Sequence, residues 1–138
     1  MTINMANVQN MKVLLDTNFL FIPFTMKADV FSQFKDLGFS ICVIDRTIGE
    51  LENLKKTGSA KEKKVAKMAL EAITKLNIEI IHTDTKEESF KKVDESILDI
   101  AAKQELIVAT QDRELKRLLK GKGIRVYYLR QRKYISED

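Results

Sequence analysis

The chain has 138 residues, 44% of them hydrophobic and 32% charged, with 24 Lys and Arg against 20 Asp and Glu. This length predicts one compact domain, and the composition provides a buried core, which excludes a wholly disordered chain. The net charge of +4 is compatible with a polyanionic partner. A single cysteine, Cys42, excludes an internal disulfide framework and fits a reducing compartment. Because no apolar run is long enough to span a bilayer and no secretory signal is recognisable, we expect a cytoplasmic protein without a membrane partner.

Short apolar runs recur along the chain and predict five strands. These runs lie at residues 11–16, 40–45, 78–82, 106–110 and 125–129. They are nearly continuous in Val, Ile and Leu rather than alternating, which favours strands covered on both faces, as in a parallel sheet. Residues 1–10 are polar and weakly patterned. We therefore expect a loose tail at 1–10 followed by a single domain at 11–138.

Amphipathic helical patterns separate the predicted strands. The predicted helices are Lys27–Leu37, Thr47–Lys56, Ser59–Leu76, Asp94–Gln104 and Asp112–Lys120. Ser59 with Glu62 three residues later predicts a capping box at the start of the third helix. The alternation of strands and helices predicts an α/β fold, a three-layer α/β/α sandwich around a central, mainly parallel sheet.

Acidic residues follow the predicted strands at the edge where open α/β sheets bind ligands. Those at or near this edge are Asp16, Asp45, Glu50, Asp94, Glu95 and Asp112. Crowded carboxylates repel one another unless a cation lies among them, and oxygen ligands select Mg²⁺ or Mn²⁺. Such a site can hydrolyse a phosphodiester without a nucleophilic side chain. The sequence therefore predicts a divalent-metal site at one edge of the sheet.

Each of these acids also has a purely structural interpretation. Asp94 and Asp112 are natural helix N-caps, Asp16 can cap the turn that follows it, and Glu95 suits the first turn of a helix. Glu50 is expected on or near the buried face of its helix, where an unpaired acid is costly. The convergence of these acids on one edge favours function, whereas for Asp94 alone both interpretations stay open.

Four segments, in order, resemble the PIN-domain ribonucleases. They are LLDTNFL at 14–20, TIGELENL at 47–54, VDESILDIA at 93–101 and IVATQDRELKRLLKGKGIRVYYLRQRKY at 107–134. The likeness is greatest to the small archaeal branch related to VapC-type toxins and to the PIN nucleases of small-subunit ribosomal RNA processing. The resemblance implies a PIN-like, five-stranded parallel sheet and an endoribonuclease that uses Mg²⁺ or Mn²⁺ to activate water.

The resemblance also assigns individual residues. The positions that match the family's catalytic and metal-binding acids are Asp16, Glu50, Asp94 and Asp112. The positions that match its supporting polar residues are Asn18 and Thr110. Relatives often carry two adjacent aspartates where this chain has Asp94 and Glu95, so Glu95 is a further candidate metal ligand.

The substrate implied by the resemblance is RNA. Basic residues interleaved with tyrosines near the C-terminus can bind its phosphates and stack on its bases, with Arg130, Arg132 and Lys133 as candidates. A tyrosine-packed final strand followed by a solvated basic tail is the alternative. The resemblance also implies a homodimer and a cognate antitoxin or ribosome-assembly partner, and the toxin and RNA-processing roles both stay open.

Two other functions were weighed against the nuclease. The first is a non-catalytic RNA-binding module with a weakened site, which the Glu95 departure motivates. The second is a phosphotransfer protein of the haloacid dehalogenase or receiver type. The haloacid dehalogenase type needs a second aspartate two residues after the first, where this chain has Asn18. The acidic pair and lysine of the receiver type are not found.

Overall fold

The computed structural model describes residues 11–83 and 92–138. Its strands are β1 (Lys12–Leu15), β2 (Ser40–Ile44), β3 (Glu79–Ile81), β4 (Ile107–Ala109), β5 (Val126–Arg130) and β6 (Tyr134–Glu137). Its helices are α1 (Thr17–Leu20), α2 (Ile22–Thr25), α3 (Val30–Asp36), α4 (Asp45–Thr57), α5 (Ala60–Lys75), α6 (Val93–Gln104) and α7 (Arg113–Gly121). The tail predicted at 1–10 lies outside the described residues.

The strands form one sheet in the order β3-β2-β1-β4-β5-β6. Strands β1 to β5 pair in parallel, and β6 pairs antiparallel with β5. The mainly parallel sheet is confirmed, but the expected strand count of five is wrong. Strand β6 was not recognised because it lies at the sheet edge and exposes both of its ends, so it lacks the continuous apolar run of a buried strand.

Two apolar cores lie on opposite faces of the sheet. Val13 and Leu15 of β1 belong to the core that contains Phe34 of α3 and Ile73 of α5. Leu14, between them, belongs to the other core, which the residues of α6 and α7 complete. Successive residues of a strand point to opposite faces. The alternation along β1 therefore confirms the three-layer α/β/α sandwich.

Side-chain caps determine where some of the helices begin. The Ser59–Glu62 capping box is present, with Glu62 N donating to Ser59 Oγ at 3.1 Å and Ser59 N to Glu62 Oε1 at 2.9 Å. Helix α3 begins later than expected because Asp29 caps it by accepting from Ser32 N at 3.1 Å. Helix α4 begins at Asp45, directly after β2, rather than at Thr47.

Within the two described ranges, no helix combines the length and apolar character needed to cross a membrane.

The order of the strands reverses between β1 and β4, which are neighbours in the sheet. Parallel strands end at the same edge, and we call the edge at which β1, β4 and β5 end the carboxyl edge. Ligands of open α/β sheets bind beyond this edge, at the point of reversal. The residues that follow β1 and β4, Asp16 and Thr110, therefore lie together at the position where a site is expected.

Candidate functional site

Asp16 joins β1 to α1 and is 6% exposed. Its backbone N–H donates to Ala109 O at 3.2 Å, which continues the pairing of β1 with β4. Its carboxylate caps α1, since Phe19 N donates to Oδ1 at 2.7 Å. The Thr110 hydroxyl donates to Oδ2. The carboxylate is thus held from both sides at the centre of the carboxyl edge.

The pKa of Asp16 is raised from 3.8 to about 6, chiefly because burial disfavours the charged carboxylate. The hydrogen bonds from Thr110 and Phe19 oppose this rise, and the charges of Asp94 and Asp112 add to it. Partial desolvation, followed by the charge of Asp112, also raises the pKa of Asp94. These three acids, distant in sequence, therefore share one field of negative charge.

Asp112 is the N-cap of α7, where Oδ1 accepts from Leu115 N at 2.9 Å. The backbone N–H of Asp112 donates to Thr110 Oγ1 at 3.0 Å. Because the same hydroxyl donates to Asp16, Thr110 links the two acids through one buried oxygen. The capping interpretation of Asp112 is correct, and it fixes the residue beside Asp16.

Asp94 lies in the first turn of α6 and is not its N-cap, since that position belongs to Lys92. The N-cap interpretation of Asp94 is therefore wrong. Asp94 is also the member of the Asp94–Glu95 pair whose charge raises the pKa of Asp16. Both members of the pair are exposed on the first turn of the helix.

Glu50 is exposed, which corrects the expectation that it lies on the buried face of α4. The buried stripe of this helix includes Thr47 and Leu51, and Glu50 borders it. Thr17 Oγ1 donates to Glu50 Oε1 at 2.6 Å. Since Thr17 directly follows Asp16, this bond places Glu50 at the rim of the site. The role of Thr17 in orienting Glu50 was not predicted from the sequence.

The two predicted supporting residues differ in placement. Thr110 is fully buried and donates to Asp16. Asn18 is exposed, and it is not among the donors to the Asp16 carboxylate, which are Thr110 and Phe19.

The donor set suits a hard divalent cation held by few protein ligands. In residues 11–83 and 92–138, no group of three or more His, Cys, Asp or Glu side chains is assembled to hold a metal ion. Mg²⁺ retains several waters and binds through one or two carboxylates together with substrate phosphates. Asp16, with its raised pKa, and the neighbouring Asp94 and Asp112 fit that mode rather than a closed protein cage.

Other reactive residues lie outside the site. Cys42 is buried in β2, and burial raises the pKa of its thiol to about 12, so it is a core residue rather than a nucleophile. Asp45, also at the end of a strand, accepts from Thr83 N at 3.0 Å and from Thr83 Oγ1 at 2.6 Å. These bonds join the end of β2 to the residues after β3, away from the point of strand reversal.

The C-terminal basic residues divide into two groups. Four pair with acids: Arg117 with Glu114, Arg125 with Glu137, and Lys116 and Lys120 with Asp138. Arg130, Arg132 and Lys133 are exposed around the β5–β6 turn. The alternative of a basic tail after the final strand is wrong in that residues 130–134 form a hairpin turn at the carboxyl edge, although these cations are exposed as that alternative expected.

Comparison with known proteins gives consistent matches. Residues 13–132 match the family model described as "PIN like domain". Ribonuclease VapC9 of Archaeoglobus fulgidus is 35% identical over 122 residues, covering 88% of this chain and 84% of the relative. Ribonuclease VapC4 of Methanocaldococcus jannaschii is 33% identical over 131 residues, covering 91% and 95%.

A solved structure supports the fold independently. The structure of the PIN domain endonuclease Utp24 superposes with a TM-score of 0.76 at 24% identity, covering 94% of this chain and 92% of that one. At this identity the likeness concerns the fold alone. Together with the family match and the two relatives above 30% identity, it leads to one conclusion: the chain belongs to the PIN-like domain family.

Proposed function

We propose that this chain is a divalent-metal-dependent endoribonuclease. The observation that carries the proposal is the buried Asp16 carboxylate at the point of strand reversal. Burial raises its pKa to about 6, and the negative charges of Asp94 and Asp112 contribute to that rise. A cation at this position would offset both the cost of burying the Asp16 charge and the repulsion among the three carboxylates. The two curated relatives are named ribonucleases, and the solved neighbour is an endonuclease.

The candidates for the one or two carboxylates that would hold Mg²⁺ or Mn²⁺ are Asp16, Asp94 and Asp112, with Glu50 and Glu95 as further candidates at the rim. The chemistry that a bound ion would supply is a lower pKa of a water molecule and neutralisation of negative charge on the leaving oxygen. Hydrolysis with the 3′ oxygen as the leaving group would give 5′-phosphate and 3′-hydroxyl ends.

The chain's own polar groups orient the acids. The Thr110 hydroxyl and the Phe19 N–H direct the Asp16 carboxylate, and the first turn of α7 directs Asp112. These donors are fixed before substrate arrives, so the acids need little reorganisation during the reaction. Asn18, adjacent to this arrangement, is proposed as a supporting polar residue.

RNA is the proposed substrate, and Arg130, Arg132 and Lys133 are its proposed phosphate-binding residues. All three are exposed at the carboxyl edge, on the same side of the sheet as Asp16. Single-stranded RNA suits this edge better than a duplex, because its backbone can bend toward the acids and its bases are accessible.

The decisive test incubates a panel of labelled RNAs with the purified protein, with and without Mn²⁺. We expect metal-dependent cleavage that Asp16→Asn abolishes and that Asp36→Asn, an exposed aspartate at the end of α3, leaves unchanged. Undiminished cleavage in excess EDTA, or full activity of Asp16→Asn, would overturn the proposal.

A non-catalytic RNA-binding module is the second candidate function. It is favoured by the lack, within the described ranges, of three acids assembled around one point. Calorimetric titration with Mn²⁺ separates the two candidates. RNA affinity without Mn²⁺ binding supports the module, whereas Mn²⁺ binding that Asp16→Asn removes supports the nuclease.

We further propose a cytoplasmic location and three kinds of partner besides RNA. These are a second copy of the chain, a protein that neutralises the acidic site in the manner of an antitoxin, and a ribosome-assembly partner. Light scattering on the purified protein tests the first. Copurification of a small protein that restores growth when coexpressed distinguishes the toxin role from the processing role.

A further inference from the structure

The turn between β5 and β6 has an unusual backbone for its residues. Lys133 N donates to Arg130 O at 3.1 Å, and the two central residues, Gln131 and Arg132, have φ angles of 54° and 60°. Two consecutive positive φ angles are typical of a type I′ hairpin turn, in which Asn-Gly is the favoured pair. Residues with a Cβ adopt this backbone when surrounding contacts hold it. We call residues Arg130–Lys133 the basic turn.

Gln33 of α3 supplies such contacts from a distant part of the chain. Its side-chain Nε2 donates to Lys133 O at 2.8 Å, and its Oε1 accepts from Ile135 N at 2.8 Å. One carboxamide therefore pairs with the backbone on the outgoing side of the turn in the way that a neighbouring strand would. Gln33 is half-buried, so these bonds are only partly exposed to competing water.

Gln111 fixes the incoming side of the turn in the same manner. Its Oε1 accepts from Leu129 N at 2.6 Å, and its Nε2 donates to Leu129 O at 3.2 Å. Gln111 follows Thr110, the residue that holds Asp16 and Asp112. The basic turn is thus connected to the acidic site, because Gln111 bonds to Leu129 just before the turn and its neighbour Thr110 bonds to Asp16 and Asp112.

The basic turn carries positive charge that no acid in the described part of the chain pairs with. Among residues 11–83 and 92–138, the side chains of Arg130, Arg132 and Lys133 have no acidic partner, unlike Arg117 and Arg125. The turn follows β5, which lies two strand positions from β1, or about 10 Å at the usual spacing of neighbouring strands. A single strand of RNA near Asp16 would therefore pass within reach of these cations.

We propose that Gln33 is a positioning residue that holds the basic turn in a shape ready to bind RNA phosphates. The inference rests on the proposed function in taking single-stranded RNA as the ligand. Holding the backbone of the turn before RNA arrives reduces the conformational freedom lost on binding. Gln33 contributes to affinity through the shape of the turn, without contacting the acids.

Binding is measured by fluorescence anisotropy of a short labelled single-stranded RNA in EDTA, so that no cleavage occurs. We expect Gln33→Ala to weaken binding about fivefold to tenfold, since the backbone of Gln131 and Arg132 then becomes ordered only on binding. Gln104→Ala, an exposed glutamine at the end of α6, is the matched control and should bind as the wild type does. Arg132→Gln should weaken binding and reduce the slope of log Kd against log salt by about 0.7 for one lost phosphate contact.

A rescue variant separates positioning from a merely structural effect. Glycine adopts positive φ readily, so Gln131→Gly in the Gln33→Ala background should restore the turn and most of the RNA affinity without restoring the two hydrogen bonds. Wild-type affinity in Gln33→Ala, an unchanged salt slope in Arg132→Gln, or failure of the rescue would each overturn the inference. Because these measurements need no catalysis, they stand apart from the cleavage test with Asp16→Asn.

Discussion

Replacing the buried Asp16 by asparagine should make the metal-free protein more stable at neutral pH. Asp16 is 6% exposed, and burial is the main cause of the rise of its pKa from 3.8 to about 6. At a pH above both values the folded chain must keep a charge that its surroundings disfavour. Asparagine has nearly the same shape and no charge, so it removes that cost.

The magnitude follows from the raised pKa and from the hydrogen bonds. The difference between 3.8 and about 6 corresponds to about 3 kcal/mol, at about 1.4 kcal/mol for each tenfold change in proton affinity. The carboxamide oxygen of asparagine still accepts from Phe19 N, but its NH₂ group faces the Thr110 hydroxyl, which already accepts from Asp112 N. The displaced hydroxyl proton costs about 1 kcal/mol, which leaves a net gain of about 2 kcal/mol.

The pH dependence has a definite sign. Because the folded-state pKa lies above the unfolded value, the favourable contribution of protonated Asp16 is fully present below 3.8 and is lost as pH rises through about 6. The advantage of the Asp16→Asn variant over the wild type should therefore grow across this interval and stay constant at higher pH.

Guanidinium unfolding in EDTA, followed by circular dichroism at several pH values, measures this advantage. Asp36→Asn is the matched control, since it removes an exposed carboxylate and should show no comparable gain. An Asp16→Asn variant that is no more stable than the wild type near pH 8, or whose advantage does not change with pH, would refute the reasoning.

The remaining predictions concern the neighbours of Asp16 and the core. Thr110→Val removes the hydroxyl that links the acids and should cost about 1–3 kcal/mol of unfolding free energy, whereas Thr25→Val, at an exposed hydroxyl, should cost less, as guanidinium unfolding can verify. Asp94→Asn should weaken Mn²⁺ binding about tenfold in calorimetry and Glu95→Gln should not, because the charge of Asp94 acts on the Asp16 carboxylate. A larger loss of Mn²⁺ affinity in Glu95→Gln than in Asp94→Asn would contradict this. Phe34→Ala should cost about 3–5 kcal/mol by the same unfolding assay, because the ring is fully buried; a loss below about 1 kcal/mol would contradict the packing.

The central sheet was predictable because strands buried on both faces leave a compositional signal. Strands β1 and β4 fall within the predicted runs at 11–16 and 106–110, and each is fully or almost fully apolar. The four-residue helices α1 and α2 were not predicted, since a single turn is too short to show a 3.6-residue period. Strand β6 was missed because an exposed edge strand requires no apolar run.

The acidic site was predictable in position but not in detail. The rule that ligands bind beyond the ends of parallel strands locates Asp16 and Asp112 correctly at one edge. The exposure of Glu50 was not predicted, because a residue bordering the apolar stripe of a helix is ambiguous from sequence. The bonds of Gln33 to Lys133 and Ile135 join residues about one hundred positions apart, and no local spacing indicates them.

Capping alone does not explain an aspartate at position 16. Asn and Asp are about equally effective N-caps, so an asparagine would satisfy Phe19 N equally well. It would do so without the buried charge that raises the pKa of Asp16, and without repulsion from Asp94 and Asp112. The cap therefore does not require the negative charge, which should lower the stability of the metal-free fold above the raised pKa. A cation near Asp16 does need that charge, since a neutral carboxamide cannot offset its desolvation. The expected cost in stability at this position thus supports the proposed metal dependence.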